Sequence, residues 1–242
     1  SIDLQILQNP VHIIAGFFER DGFHPVDGID GPGAWVAIGR DPLPRAARNL
    51  EGMNMLASID PTWWVQPVSL ANRQVSLSPL RLEHAEALGR AASDGELWRL
   101  FYTSVPTPDT AHDYVVQALQ QQTSGWSVPF VVRDAAGDIV GTTRYCNIDA
   151  THKRVEIGWT WYALRVQRTA LNTAAKQLLL THAFETLGAG AVELRTSYMN
   201  HRSRAAIARL GAKQDGILRN HMKLPGGGYR DTVVFSIIES EW

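Results

Sequence analysis

The chain has 242 residues, with 23 Lys and Arg against 24 Asp and Glu, so its formal net charge of −1 gives no global electrostatic reason to bind nucleic acid. Apolar residues make up 45% and charged residues 19%, ordinary for a soluble globular protein, and no run approaches the roughly 20 apolar residues of a membrane span. The lone cysteine, Cys146, has no internal partner for a disulfide, and the first residues lack a basic region followed by an apolar core; the expected location is the cytoplasm.

Residues 1–58 sustain neither a helical nor a strand period. They hold turn chemistry at residues 27–33 and 41–44, with Met53 and Met55 just before the legible part begins. They are read as an extension, and residues 59–242 as the functional domain. Residues 74–80 alternate polar and apolar side chains, as a half-buried strand does. Leu82, Ala85, Leu88 and Ala92 follow at helical spacing, and Thr110 with Asp113 resembles the start of a second helix running to Gln122.

Two β-rich runs, 128–132 and 139–148, flank the turn at residues 134–138 and predict an antiparallel hairpin. A further strand is expected over 155–162. The helix after it carries Ala175, Leu179, Leu180, Ala183, Phe184 and Leu187 on one face and stops at Gly188. A strand over 191–198 precedes a short helix capped by Asn200 and ending at Gly211. Two last strands, 216–223 and 229–238, surround residues 225–228. The order β-α-α-β-β-β-α-β-α-β-β, without repeats, gives the fold class α+β: a mixed, mostly antiparallel sheet covered by helices on both faces.

The connection from residue 162 to residue 176 joins a strand to a helix. A helix N-terminus offers unpaired N–H groups and the positive end of its dipole, a natural seat for phosphate. The plain alternative is a strand–helix connection capped by Asn172.

This order resembles the GNAT superfamily of acetyl-coenzyme A-dependent N-acetyltransferases over about residues 70–242, and within it the RimJ/RimL-like group that acetylates ribosomal-protein N-termini. Three stretches carry the resemblance: 155–159 leading into the connection, 200–203 running to 210–212, and 215–219. In the family the pyrophosphate loop reads Gln/Arg-x-x-Gly-x-Gly/Ala. Here Gln167, Arg168, Thr169, Ala170, Leu171 and Asn172 stand in it, so both glycine positions are substituted. Ala170 then requires a negative φ, whereas Asn172 tolerates unusual dihedrals. The resemblance implies that this loop with Thr173, Trp161 and Asn200 binds acetyl-CoA, and that Arg165, Arg168 and Lys176 supply positive charge near the phosphates.

The chemistry implied is direct attack of a neutral primary amine on the thioester in a ternary complex, with a backbone N–H near residues 159–161 for the oxyanion. Glu156, an acidic residue on an apolar strand, is the candidate base, with burial raising its pKa; an ion pair with Arg144 or Arg154, or solvent exposure, is the alternative. The family's proton-donating Tyr maps to Ile207, which leaves Ser203 either facing the sulfur or bonding back to the backbone. Cys146 on an apolar strand reads as core rather than as an acyl carrier. One pair among Trp159, Thr160, Trp161 and Tyr162 is expected in the core. His182, His201 and His221 show no ligand spacing, so no metal is expected. The acceptor is a protein N-terminus or a small amine, with neither nucleic acid nor membrane as a partner and a homodimer left open. A non-catalytic acetyl-CoA-binding module is the alternative from another class.

Overall fold

A computed structural model describes residues 36–38, 61–100, 102–224 and 226–242. Apart from residues 36–38, the 1–58 extension, with its turn segments and Met53 and Met55, lies outside the described residues.

The described strands are β1 (Val36–Ile38), β2 (Ser69–Ala71), β3 (Val75–Pro79), β4 (Ser127–Asp134), β5 (Ile139–Asp149), β6 (Arg154–Tyr162), β7 (Ala191–Ser197), β8 (Lys213–Lys223) and β9 (Tyr229–Ile238). They form one sheet in the order β1-β2-β3-β4-β5-β6-β7-β9-β8. All neighbours are antiparallel except β1 with β2 and β6 with β7. The long helices are α1 (Ala85–Ser93), α2 (Ala111–Thr123), α3 (Leu171–Thr181) and α4 (His201–Arg209). The α+β class and the mostly antiparallel sheet follow the sequence reading.

Alternation along the strands feeds two cores. On β4, Phe130 and Val132 join the cluster that includes Leu171, Ala175 and Leu179 of α3, whereas Val131 joins Leu88, Ala92, Val115 and Ala118 of α1 and α2. The sheet is therefore covered on both faces, with α1 and α2 on one side and α3 on the other. On β5, Tyr145 belongs to the α3 side and donates its hydroxyl to the Leu179 carbonyl. Its neighbours Arg144 and Cys146 face the other way, towards α2.

Local details depart from the sequence reading at element ends. The cap before α2 sits one turn earlier than Thr110 with Asp113: Thr107 and Thr110 exchange side-chain bonds to each other's backbone N–H around a 3-10 turn at Pro108–Thr110. Likewise α3 does not run regularly to Gly188; it widens into a π turn at His182–Thr186. β8 starts at Lys213, three residues earlier than the alternation suggested, because a register shift at Gln214/Gly216 breaks its period.

Gly141 on β5 is fixed by close approach. A Cβ there would lie 2.1 Å from the Trp161 carbonyl oxygen and 3.0 Å from Tyr162 Cα. Neither backbone atom can move without opening the β5–β6 ladder. Gly141→Ala is expected to destabilise the fold by roughly 1–3 kcal/mol in urea unfolding; an unchanged midpoint would show that the ladder yields there.

Candidate active site

The site begins where two parallel strands part. β6 and β7 stay in register only over Arg154–Ala191, Val155–Val192 and Glu156–Glu193. Beyond those pairs both strands continue, β6 to Tyr162 and β7 to Ser197, without pairing. The divergence leaves the facing backbone groups of their C-terminal halves unpaired with each other and open to a guest laid between them, except the Tyr162 carbonyl, which Gln167 takes. The other edge of β6 explains the bend. Arg144 pairs with Gly158 and Thr142 with Trp161, so two steps of β5 face three of β6. The inserted residue lies beside Trp159, whose φ of 52° is left-handed.

The bulge also resets which side chains face which way. Val155 and Ile157 belong to the α3-side core, but past the bulge Trp159 and Trp161 pack on the α2 side and Tyr162 returns to the α3 side. Trp161 and Tyr162 are both core, and the Trp161 indole donates to the Tyr114 hydroxyl at 3.3 Å. Because the Ala163 N–H bonds the Val140 carbonyl, pleat alternation directs the Trp161 backbone at β5 and that of Thr160 and Tyr162 at the splay. Trp161 thus offers the cleft neither side chain nor N–H.

The connection after β6 is a tight, polar turn. Gln167 folds back to donate to the Tyr162 carbonyl at 2.8 Å. Thr169 donates to the Val166 carbonyl and accepts from the Leu171 N–H. Ala170 has φ −68°, so the absent glycine is not needed there; the left-handed residue is Arg168, at φ 60°. Among the described residues the backbone N–H groups of Arg168, Thr169, Ala170, Asn172 and Thr173 find no acceptor, while Leu171 and Ala174 do. A run of exposed donors at the start of α3 fits a pyrophosphate.

The α2 side of the splay carries charge. Glu156 is buried; its Oε2 accepts from Asn147 Nδ2 at 2.6 Å and lies 3.4 Å from Arg195 Nε. Its partner is therefore Arg195, not Arg144 or Arg154. Arg154 pairs instead with Glu193, which also takes Arg195. The other oxygen, Oε1, folds over Gly158: a Cβ there would come within 2.8 Å of it and 3.1 Å of Cys146 Sγ. Burial, followed by the nearby Glu156 charge, pushes the Cys146 thiol well up, which leaves it a poor nucleophile.

Residues 74–213 match the family described as the acetyltransferase (GNAT) domain, more than half of the chain. The chain belongs to the GNAT acetyltransferase family. It is 25% identical over 166 residues, 69% of this chain and 86% of the relative, to a Bacillus subtilis protein named "Putative ribosomal N-acetyltransferase YdaF". A GNAT-family structure from Chromobacterium violaceum is 31% identical, with 72% of this chain and 87% of that one covered and a TM-score of 0.64. RimL, described as a ribosomal L7/L12 α-N-protein acetyltransferase and solved with coenzyme A, shares the fold at 17% identity and a TM-score of 0.60, over 70% of this chain and 96% of its own. These likenesses agree with the RimJ/RimL-like grouping.

Within this GNAT frame not every sequence candidate meets at the turn. Lys176 points into the protein on the α3 side, 95% buried, and donates to Thr160 Oγ1 at 2.7 Å; Thr160 in turn bonds Thr143 Oγ1. It lies under the bulge, not beside the open N–H groups of the turn, because five residues into α3 the helix presents its inner face. Arg165 is held by Asp94, with Asp134 and Asp138 near, rather than by the turn. Asn200 caps α4 by accepting from the Ser203 N–H at 3.1 Å. The Ser203 hydroxyl makes no hydrogen bond among the described residues. Ile207 is core. Among the described residues no group of three or more His, Cys, Asp or Glu side chains could hold a metal, and no helix is long and apolar enough to cross a membrane.

Sequence reasoning missed Asn147 and Arg195. Their signal was weak: both sit on strands whose register to β6 becomes known only once the sheet is assembled.

Burial drives the Lys176 pKa from 10.5 down to about 7, partly opposed by Cys146 and Glu156. The unfolded chain then binds one more proton than the folded one between those values, so this group adds stability as pH rises from about 7 towards 10.5. The unfolding free energy of the wild type relative to Lys176→Met is expected to grow by roughly 1 kcal/mol per pH unit between about pH 7.5 and 9.5. Urea titrations at several pH values read this directly, and a flat difference would place Lys176 in water.

Proposed function

We propose that the protein transfers the acetyl group of acetyl-CoA to a primary amine by direct attack in a ternary complex. The observation that carries this reading is the join of two features: donors without acceptors at the start of α3, and the β6–β7 splay next to them. A pyrophosphate on the first leaves the pantetheine arm to fill the second, where the strands lack partners. Residues 167–173 and Asn200 are the cofactor contacts in this reading. The N–H groups of β6 at the bulge are the donors for the thioester carbonyl as it gains negative charge.

Glu156 is the base in this proposal. Its Oε2 is held by Asn147 and Arg195, so Oε1 above Gly158 is the oxygen left for a proton from the ammonium, directly or through a water. Ser203, whose hydroxyl has no hydrogen-bond partner among the described residues, is the residue proposed to return a proton to the departing thiolate. The acceptor is a protein N-terminus, supported by the name of the Bacillus relative. The cytoplasm is the compartment that fits such a substrate.

Glu156→Gln is expected to lower kcat at pH 7 roughly 100-fold while leaving acetyl-CoA binding intact; an unchanged kcat removes Glu156 from the role. Release of coenzyme A against a panel of peptides and small amines tests the function itself. Cofactor binding without turnover on every acceptor would make the protein a binding module. Removing residues 1–52 takes away β1, whose partner among the described residues is β2 at the far edge of the sheet. Acetyl-CoA affinity is expected to survive that deletion, and its loss in calorimetry would tie the extension to the site.

A further inference from the structure

Arg144 is fully buried, yet it is only partly satisfied. Its Nη1 donates to Gln121 Oε1 at 2.7 Å, while Nε and Nη2 have no partner. Its guanidinium carbon lies over the Tyr114 ring, 4.9 Å from the ring centre, and over the Trp159 ring, at 4.7 Å. No carboxylate lies within 4.0 Å of it among the described residues. Glu156, two ladder pairs along β6 from the Arg144–Gly158 pair, is committed to Asn147 and Arg195.

The two idle donors are not scattered. Nε and Nη2 share one edge of the guanidinium, the edge with which Arg195 grips Glu193 Oε2 nearby. That edge matches the two oxygens of a carboxylate. The two rings attract the cation through their π-faces, but they supply no acceptor for the edge. A buried cation without a counter-charge is unfavourable, and an arriving anion offsets that. Arg144 also stands opposite Gly158 in the register, at the bulge, and its cover is Trp159, itself partly exposed and carried on left-handed backbone.

Resting on the proposed acetyl transfer, we infer that Arg144 is a specificity-determining residue whose free edge binds a carboxylate carried by the acceptor close to its amine. The source is either the α-carboxylate of an amino acid or an acidic side chain near a peptide N-terminus, and the chemistry is the same.

Calorimetric titration of the coenzyme A-loaded protein separates these sources without requiring turnover. The probes are N-acetylalanine against N-acetylalaninamide, and N-acetyl-Ser-Glu against N-acetyl-Ser-Gln peptides with amidated C-termini. In one of the two pairs the carboxylate is expected to bind roughly 10- to 100-fold tighter, and the pair that discriminates names the source. Arg144→Met is expected to bring that ratio close to one, and Arg144→Lys, which keeps the charge but not the edge, to restore only part of it. Equal affinity within both pairs for the wild-type protein overturns the inference, whether or not the variants fold. Failure of every amine to release coenzyme A would instead count against the proposed function, because the binding ratios are read independently of it.

Discussion

Everything at this site depends on a hydrogen-bonding constraint: two parallel strands that pair for three residues and then stop. A strand that leaves its neighbour must give its N–H and C=O groups another partner or leave them to water. On its far edge β6 keeps β5 as a partner along its length, with two register shifts, one of them the bulge beside Trp159. On its near edge it gives up β7 after Glu156. The bulge accommodates the bend, so the strand can remain in the sheet while half of one edge is released. The charge network of Arg154, Glu193, Arg195 and Glu156 sits where the pairing ends and ties the two strands together at the hinge of the V.

The same bulge decides what each side chain can do. An unbroken strand would have put Val155, Ile157, Trp159 and Trp161 on one face. The inserted residue sends the two tryptophans to the α2 side, where Trp161 becomes core and Trp159 covers Arg144. The order of elements, the sheet class and the turn into α3 were legible in the sequence because each rests on short-range pattern or chain order. The partner of Glu156 was not. Arg144 and Arg195 lie on the strands either side of it and Arg154 two residues along its own, and only the assembled register and pleat choose among them. Lys176 was misplaced for a related reason: its charge suggested the phosphate turn, while its position on α3 put it on the inner face against Thr160.

The substituted glycines at the turn illustrate how a motif can change without its geometry failing. What the turn needs is one left-handed residue and a set of open N–H groups. Arg168 takes the left-handed position, and Ala170 stays in ordinary helical space. The substitution at Ala170 therefore leaves the backbone of the turn in an ordinary conformation. The strain passes to Arg168, where an L side chain at φ 60° costs about 1 kcal/mol.

Electrostatics then links the two faces of β6. Lys176 lies under the bulge on the α3 side, and Arg144 lies over it on the α2 side, both removed from water. Glu156 stands between them in the sheet with its charge shared with Arg195. In the proposed reaction the thioester oxygen becomes negative at this level of β6. Positive charge held on both sides in a low-dielectric setting favours that change, and it needs no rearrangement as the charge develops. The two cations are not equivalent. Guanidinium groups in general keep their charge in proteins, whereas Lys176, with its pKa near 7, is charged only in part at neutrality. The fixed cation suits recognition of an anionic acceptor, and the titratable one leaves the field at the bulge adjustable by a single proton.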